Sequence, residues 1–190
     1  MRTFAIHYLR SAGKLAVMGA VAAAALASGS AQAATQGTLG ATSTGSVAIS
    51  VTVPNRARIT NLGDITITNQ DPNTAVNSAQ NVCVWSNTAT KKYTVTATGS
   101  GTASAFTLAN VALSVPYSVQ WAGSTGASSG TALTAGTASA AFTSTATDQA
   151  CASGPTNSAS LIVNMATADL GGMQAQTAYT GTLTLVVTPQ

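Results

Sequence analysis

The sequence predicts an all-β protein, an antiparallel sandwich of two sheets with roughly seven to ten short strands. Large apolar residues alternate with threonine and serine in many short stretches, which is the pattern of half-buried strands. Clusters of Gly, Asn, Asp and Pro separate these stretches at short intervals. Beyond the N-terminal leader, no stretch has a convincing helical period, and we expect one domain without internal repeats.

The first strand is predicted at residues 47–53, where Val47, Ile49, Val51 and Val53 share one face and Ala48, Ser50 and Thr52 share the other. Pro54 ends this pattern because proline cannot donate to a sheet ladder. Further strands follow the same alternation. They are predicted near residues 57–59, 65–67, 82–85, 93–97, 106–108, 111–115, 117–121 and 161–165, with a weak edge strand within 133–142.

The last predicted strand covers residues 179–187 and is the most regular in the chain. Its apolar face holds Tyr179, Gly181, Leu183, Leu185 and Val187, opposite a run of threonines. The predicted loops and turns lie at residues 61–64, 69–78, 99–101, 123–130 and 169–172.

Residues 1–33 are predicted to be a secretory signal peptide. Arg2, Arg10 and Lys14 form a basic region, an apolar run covers residues 15–26, and Ala31-Gln32-Ala33 is a cleavage site of the A-x-A kind. The apolar run is shorter than the ~20 residues that span a bilayer. We therefore expect export as a soluble protein to an oxidising compartment, and no membrane span after the signal is removed.

Charge after cleavage excludes several classes of function. Four cations (Arg56, Arg58, Lys91 and Lys92) face four aspartates (Asp64, Asp71, Asp148 and Asp169), so the net charge is zero. Such a chain cannot supply the phosphate neutralisation that nucleic-acid binding needs. The only histidine, His7, lies in the leader and the chain has no glutamate, which excludes His-dependent triads and zinc sites. The aspartates lie in separate turns, so we expect no enzyme, no metal site and no cofactor.

Cys83 and Cys151 are the two cysteines of the chain. In an oxidising compartment, with no histidine or further cysteine to share a metal, a disulfide between them is the simplest interpretation.

The two terminal strands suggest a shared role. A regular strand at the end of a chain needs neighbours on both sides, or it leaves an adhesive edge. The N-terminal strand has a matching apolar face, and it could complete its own sheet or that of another copy by strand addition.

These features resemble the pilins of archaic chaperone–usher fimbriae, the type that includes the spore coat protein U domain. The resemblance rests on a signal peptide and on six segments of the sequence. They are Gly45-Ser-Val-Ala-Ile-Ser-Val-Thr-Val53, Ile59-Thr-Asn-Leu-Gly-Asp-Ile-Thr-Ile67, Val82-Cys83, Tyr93-Thr-Val-Thr-Ala-Thr-Gly99, Pro116-Tyr117-Ser-Val119 and Ala178-Tyr-Thr-Gly-Thr-Leu-Thr-Leu-Val-Val187. It spans essentially residues 34–190. Many relatives place a cysteine soon after the first strand, where this chain has Val53-Pro-Asn-Arg56, so their disulfide topology is not carried over.

The resemblance implies an immunoglobulin-like sandwich (54–190) that lacks one strand, preceded by a donor-strand arm (34–53). Gly45, Val47, Ile49, Val51 and Val53 would be the donor residues, and the strand containing Tyr179, Gly181, Leu183, Leu185 and Val187 would border the acceptor groove. The implied function is that of a structural subunit of a surface fimbria, supporting adhesion or biofilm formation. Its partners would be a periplasmic chaperone, an outer-membrane usher and other copies of itself or related pilins.

A carbohydrate-binding sandwich is the alternative function. Trp85 and Trp121 each end an alternating strand, and an exposed tryptophan can stack on a sugar ring.

Overall fold

The computed structural model describes residues 33–111 and 113–190, so the predicted signal peptide lies outside the described residues except for Ala33. The described chain is nearly all β, with antiparallel sheets, which confirms the predicted class. It divides into two units: residues 33–51 belong to one, and Thr52–Gln190 form the other.

The first unit contains a short hairpin. Thr35 and Ser46 exchange two backbone hydrogen bonds, of 2.9 and 3.0 Å between nitrogen and oxygen. Residues 47–51, for which the sequence predicts a strand, have no regular secondary structure. That prediction is wrong for the single chain, because a strand forms only when a neighbour satisfies its backbone groups.

Residues 52–111 and 113–190 form ten strands and one short α-helix. They are β1 (Ala57–Thr60), β2 (Val76–Ser86), β3 (Lys92–Gly99), β4 (Thr107–Ala109), β5 (Ser114–Pro116), β6 (Ser118–Ala122), β7 (Thr131–Ala132), β8 (Phe142–Thr143), β9 (Ala159–Met165), α1 (Thr167–Leu170) and β10 (Leu183–Pro189). One sheet has the order β1-β2-β9-β6-β7, a second has the order β10-β3-β8, and β4 pairs with β5. The two larger sheets share one hydrophobic core.

Trp121 and Tyr93 lie at the centre of this core, one from each of the two larger sheets. Both are fully buried, and the Trp121 Nε1–H donates to the Tyr93 hydroxyl at 3.2 Å. Their rings pack edge to face with centroids 6.5 Å apart, and this pair ties the two sheets together.

The predicted disulfide is confirmed. Cys83 of β2 is bonded to Cys151, which stands in the loop that follows β8. With Ala146 the two cysteines form a second small cluster, against which Trp85 packs. The carboxylate of Asp148 holds this loop by accepting hydrogen bonds from the backbone N–H groups of Ala150 and Ser153.

Several predicted boundaries are wrong. β2 begins at Val76, inside the predicted loop, because Asn77, Gln80 and Asn81 occupy ladder positions that the sequence pattern assigned to turn residues or left unassigned. Residues 65–67 form no strand, and only short pieces at residues 131–132 and 142–143 replace the predicted edge strand.

Candidate strand-docking groove

β10 is an edge strand. It pairs with β3 along its whole length, from Leu183 opposite Gly99 to Pro189 opposite Tyr93. Within the described part of the second unit, no strand pairs with its other edge. A seven-residue strand with one unpaired edge is a template for adding a further strand.

The hydrogen bonds around β3 identify the β10 residues that face this unpaired edge. The Gln190 N–H donates to the Lys92 carbonyl at 2.9 Å, so these two residues form a hydrogen-bonded pair. Since such pairs alternate along an antiparallel ladder, Thr184, Val186 and Thr188 bond to β3. The intervening residues direct their N–H and C=O groups to the unpaired edge; they are Leu183, Leu185 and Val187.

An independent contact supports this assignment. Val95, opposite Val187 in the ladder, bonds away from β10: its N–H donates to the Ser139 Oγ at 2.9 Å, and its carbonyl accepts from the Ser139 N–H at 2.9 Å. Val95 and Val187 therefore form a pair without mutual hydrogen bonds. The residues that present backbone groups to the edge also carry the half-buried apolar side chains of β10.

An apolar groove lies beside the unpaired edge. One wall is Leu183 and Leu185 of β10 together with Gly181 and Thr182, and the other wall is the segment of residues 62–67. The floor is made of Leu161, Val163 and Met165 of β9 with Leu108 and Tyr117. β1 and β10 also come into contact. The groove is bordered by β10, whose other edge is unpaired within the described residues.

The groove has few polar groups. Asp64 and Gln80 lie at its margin, and Gln80 is held by a reciprocal amide contact with Gly63, of 2.8 and 3.1 Å between nitrogen and oxygen. Burial raises the pKa of the Tyr117 phenol, so this side chain stays neutral in the floor. The groove is suited to aliphatic side chains rather than to an ionic ligand.

Gly181 marks where the C-terminal segment changes partners. Thr180 bridges to Ala109 of β4, whereas the ladder with β3 starts at Leu183. A Cβ at Gly181 would lie 2.8 Å from the Thr107 carbonyl oxygen and 3.1 Å from Leu108 Cδ2, so only glycine fits. The prediction that the strand begins at residue 179 is wrong, because the chain crosses between two partners here. Tyr179 packs against the core, and its hydroxyl accepts from the Gln174 N–H.

The predicted donor residues are exposed. Val47, Ile49, Val51 and Val53 have exposed fractions of 71%, 86%, 82% and 72%. Gly45 lies in the hairpin, where a Cβ would stand 3.0 Å from the Thr35 carbonyl oxygen. Four exposed aliphatic side chains this close together in the sequence are costly in water.

Sequence reasoning missed the floor of the groove. Leu161, Val163 and Met165 were predicted only as part of a strand, and residues 65–67 only as a further strand. Their alternation was visible, but their position beside an open sheet edge depends on the strand order, which periodicity does not specify.

The tryptophans do not form a sugar-stacking platform together. Trp121 has no exposed surface, and its indole N–H is already bonded to Tyr93. Trp85 is half-buried against the disulfide cluster.

Comparison with models of protein families gives no match, and a search of curated proteins gives no match either.

Among residues 33–111 and 113–190, no group of three or more His, Cys, Asp or Glu side chains could hold a metal ion. No helix within the described residues has the length and apolar character required to cross a membrane.

Proposed function

We propose that this chain is a structural subunit of a surface fimbria, with an immunoglobulin-like pilin fold, that polymerises by donor-strand exchange. Residues 47–53 of one copy would enter the groove of the next and pair with β10. The observation that carries the proposal is the unpaired edge of β10, where Leu183 and Leu185 line an apolar groove.

The lengths and chemistry of donor and acceptor match. The donor segment 47–53 and β10 both have seven residues, and each has aliphatic side chains at alternate positions of one face, four in the donor segment and three in β10. Burying four aliphatic side chains contributes about 1.5–3 kcal/mol each relative to exposure. The three edge residues of β10 would add backbone hydrogen bonds of about 1 kcal/mol net each. A joint between copies that is stabilised by this much free energy would dissociate slowly.

The same groove explains a need for assistance during export. An unfilled apolar groove beside an open strand edge promotes uncontrolled association. We therefore propose that a periplasmic chaperone occupies the groove after signal cleavage, and that an outer-membrane usher exchanges it for the arm of another copy.

A complementation experiment tests the proposal. Ile49→Asp places a charge on the donor face of one copy, and Ile67→Asp places a charge in the groove; both side chains are exposed, so both variants should fold. Each variant alone should stop polymerisation of the purified mature chain. An equimolar mixture should give dimers, because only one functional arm and one functional groove remain.

Ser50→Asp is the matched control, since it adds the same charge to the opposite face of the arm. It should polymerise as the unmodified chain does. Polymers formed by Ile49→Asp alone, or a mixture that remains monomeric, would contradict the proposal.

A further inference from the structure

All four cations of the second unit lie at one end of the sandwich, which we call the basic end. Arg56 and Arg58 lie at the start of β1, where the Asn87 N–H donates to the Arg56 carbonyl at 3.1 Å. Lys91 and Lys92 lie across the β2–β3 turn, at the start of β3. The side chains of all four are exposed.

Asp71 and Asp169 lie at the opposite end, which we call the acidic end. Val76, the first residue of β2, pairs there with Met165, the last residue of β9. Asp71 lies in the turn that leads into β2, and Asp169 lies in α1 directly after β9. Asp64 lies between the two ends, on the groove margin. Asp148 belongs to neither set, because the Ser153 and Ala150 donors bind its carboxylate in the disulfide loop.

The two ends are too far apart to neutralise each other within one copy. β2 connects them with eleven residues. At about 3.3 Å per residue this is roughly 35 Å, whereas salt at physiological strength screens exposed charges beyond about 8 Å. Each end therefore presents its own charge to a partner.

The arm joins the sandwich at the basic end. Pro54, whose carbonyl accepts from the Asn87 Nδ2–H at 2.9 Å, stands two positions before Arg56. β10 runs antiparallel to β3, from Leu183 towards Pro189 beside Tyr93. Because β3 starts at the basic end, β10 ends there. A donor antiparallel to β10 would place its last residues beside Leu183. The sandwich of the donor copy would then follow at the acidic end of the acceptor copy.

We infer that the basic end of each copy docks against the acidic end of the next copy, and that this contact sets the direction in which the donor strand enters. The inference rests on the proposed function. A parallel donor would instead bring Arg56 and Arg58 towards Lys91 and Lys92 of the acceptor, where like charges repel. Residues 34–53 carry no charged side chain, so the side chains of the arm cannot encode this direction electrostatically.

Charges at the rim of an interface act mainly on association rate and salt dependence. The test is therefore the initial rate of polymerisation of the mature chain, followed by light scattering at low and high salt. The unmodified chain should slow by about tenfold between 10 and 500 mM NaCl. R56E/R58E/K91E/K92E, which makes both ends negative, should slow by about tenfold at low salt, and added salt should speed it up.

Reversal of both ends is the discriminating variant. R56E/R58E/K91E/K92E/D71K/D169K restores opposite charges across each joint, so it should recover most of the rate that R56E/R58E/K91E/K92E loses. Mixing R56E/R58E/K91E/K92E with D71K/D169K should recover the rate as well, since unlike copies then attract. If the mixture stays as slow as R56E/R58E/K91E/K92E alone, or if the unmodified chain polymerises at a salt-independent rate, the inference is wrong.

Binding of a fluorescent peptide of residues 34–53 separates this inference from the function beneath it. Because the peptide, with its termini acetylated and amidated, carries no charge, its binding to the mature chain should change less than twofold with salt or with any of these substitutions. Absence of peptide binding to the unmodified chain would contradict donor-strand exchange itself. Normal peptide binding with charge-independent polymerisation would contradict only the docking of unlike ends.

Discussion

The backbone N–H of Gln190 donates to the carbonyl of Lys92 at 2.9 Å, and this bond sets the phase of the whole β10–β3 ladder. From it follow the three residues that bond outward, Leu183, Leu185 and Val187. Their side chains face the core while their backbone groups face an unpaired edge. The last strand is therefore complete on one side and open on the other.

The bond between Trp121 and Tyr93 gives a stability prediction. Tyr93→Phe leaves a fully buried indole N–H without its acceptor, so the free energy of unfolding should fall by about 1–3 kcal/mol. Urea denaturation followed by tryptophan fluorescence measures it. Tyr117→Phe is the control, because the hydroxyl of Tyr117 makes no hydrogen bond within the described residues, and it should cost under about 0.5 kcal/mol. Equal losses in the two variants would show that the bond does not hold the sheets together.

Reduction of the disulfide should destabilise the sandwich. Cys83 and Cys151 close a loop with a sequence separation of 68, and loss of such a bridge costs about 2–5 kcal/mol. Urea unfolding of the oxidised and the reduced chain measures the difference. A change below about 1 kcal/mol would mean that the reduced chain keeps the loop in place by packing alone.

Asp148 predicts an acid-sensitive loop. Hydrogen bonds from the Ser153 N–H, then from the Ser153 hydroxyl and from the Ala150 and Ala152 N–H groups, lower the pKa of Asp148 to about 2. An aspartate of the unfolded chain titrates near 3.9. The stabilisation is therefore complete above about pH 4 and is lost as the pH falls towards 2.

Asp148→Asn should flatten the dependence of unfolding on pH between about 4 and 2, measured as melting temperature across that range. Asp71→Asn, an equivalent change in another exposed turn, should lose melting temperature between about pH 4 and 2 as the unmodified chain does. If Asp148→Asn shows that same loss, the hydrogen bonds to Asp148 do not persist in solution.

Gly181 should be intolerant of a side chain. Gly181→Val forces a Cβ to within 2.8 Å of the Thr107 carbonyl oxygen, so the free energy of unfolding should fall by about 1–3 kcal/mol. Gly172→Ala is the control, because the nearest atom to its Cβ, the Asp169 carbonyl oxygen, is 3.6 Å away. Urea denaturation compares them, and equal stability would contradict the crossing of the chain at Gly181.

Alternation was sufficient to predict the strands whose faces differ strongly in polarity. The pattern is clear in β3, at Val95 and Ala97, and in β10, at Leu183 and Leu185. The disulfide could be predicted because the chain has two cysteines and no further residue to share a metal with them. The start of β2 was not predictable in this way, because its ladder positions are filled by Asn77, Gln80 and Asn81. Strand order was also outside the reach of periodicity, since it depends on long-range packing.

At the groove, a strand pattern in the sequence does not produce a strand in the single chain. Ile65 and Ile67 alternate as a strand should, yet no strand forms there, and their side chains line the groove instead. Residues 47–53 likewise have a strand pattern without a strand. In both segments the sequence pattern indicates a pairing that a single chain does not supply, which agrees with the proposed exchange between copies.

Amide hydrogen exchange along β10 tests the central claim most directly. In the monomeric mature chain, the amides of Thr184, Val186 and Thr188 should be protected, whereas those of Leu183, Leu185 and Val187 should exchange rapidly. In the polymer, or with the peptide of residues 34–53 bound, all six should become protected, because the donor strand pairs with the unpaired edge. If Leu183, Leu185 and Val187 exchange as rapidly in the polymer as in the monomer, donor-strand pairing with β10 is contradicted.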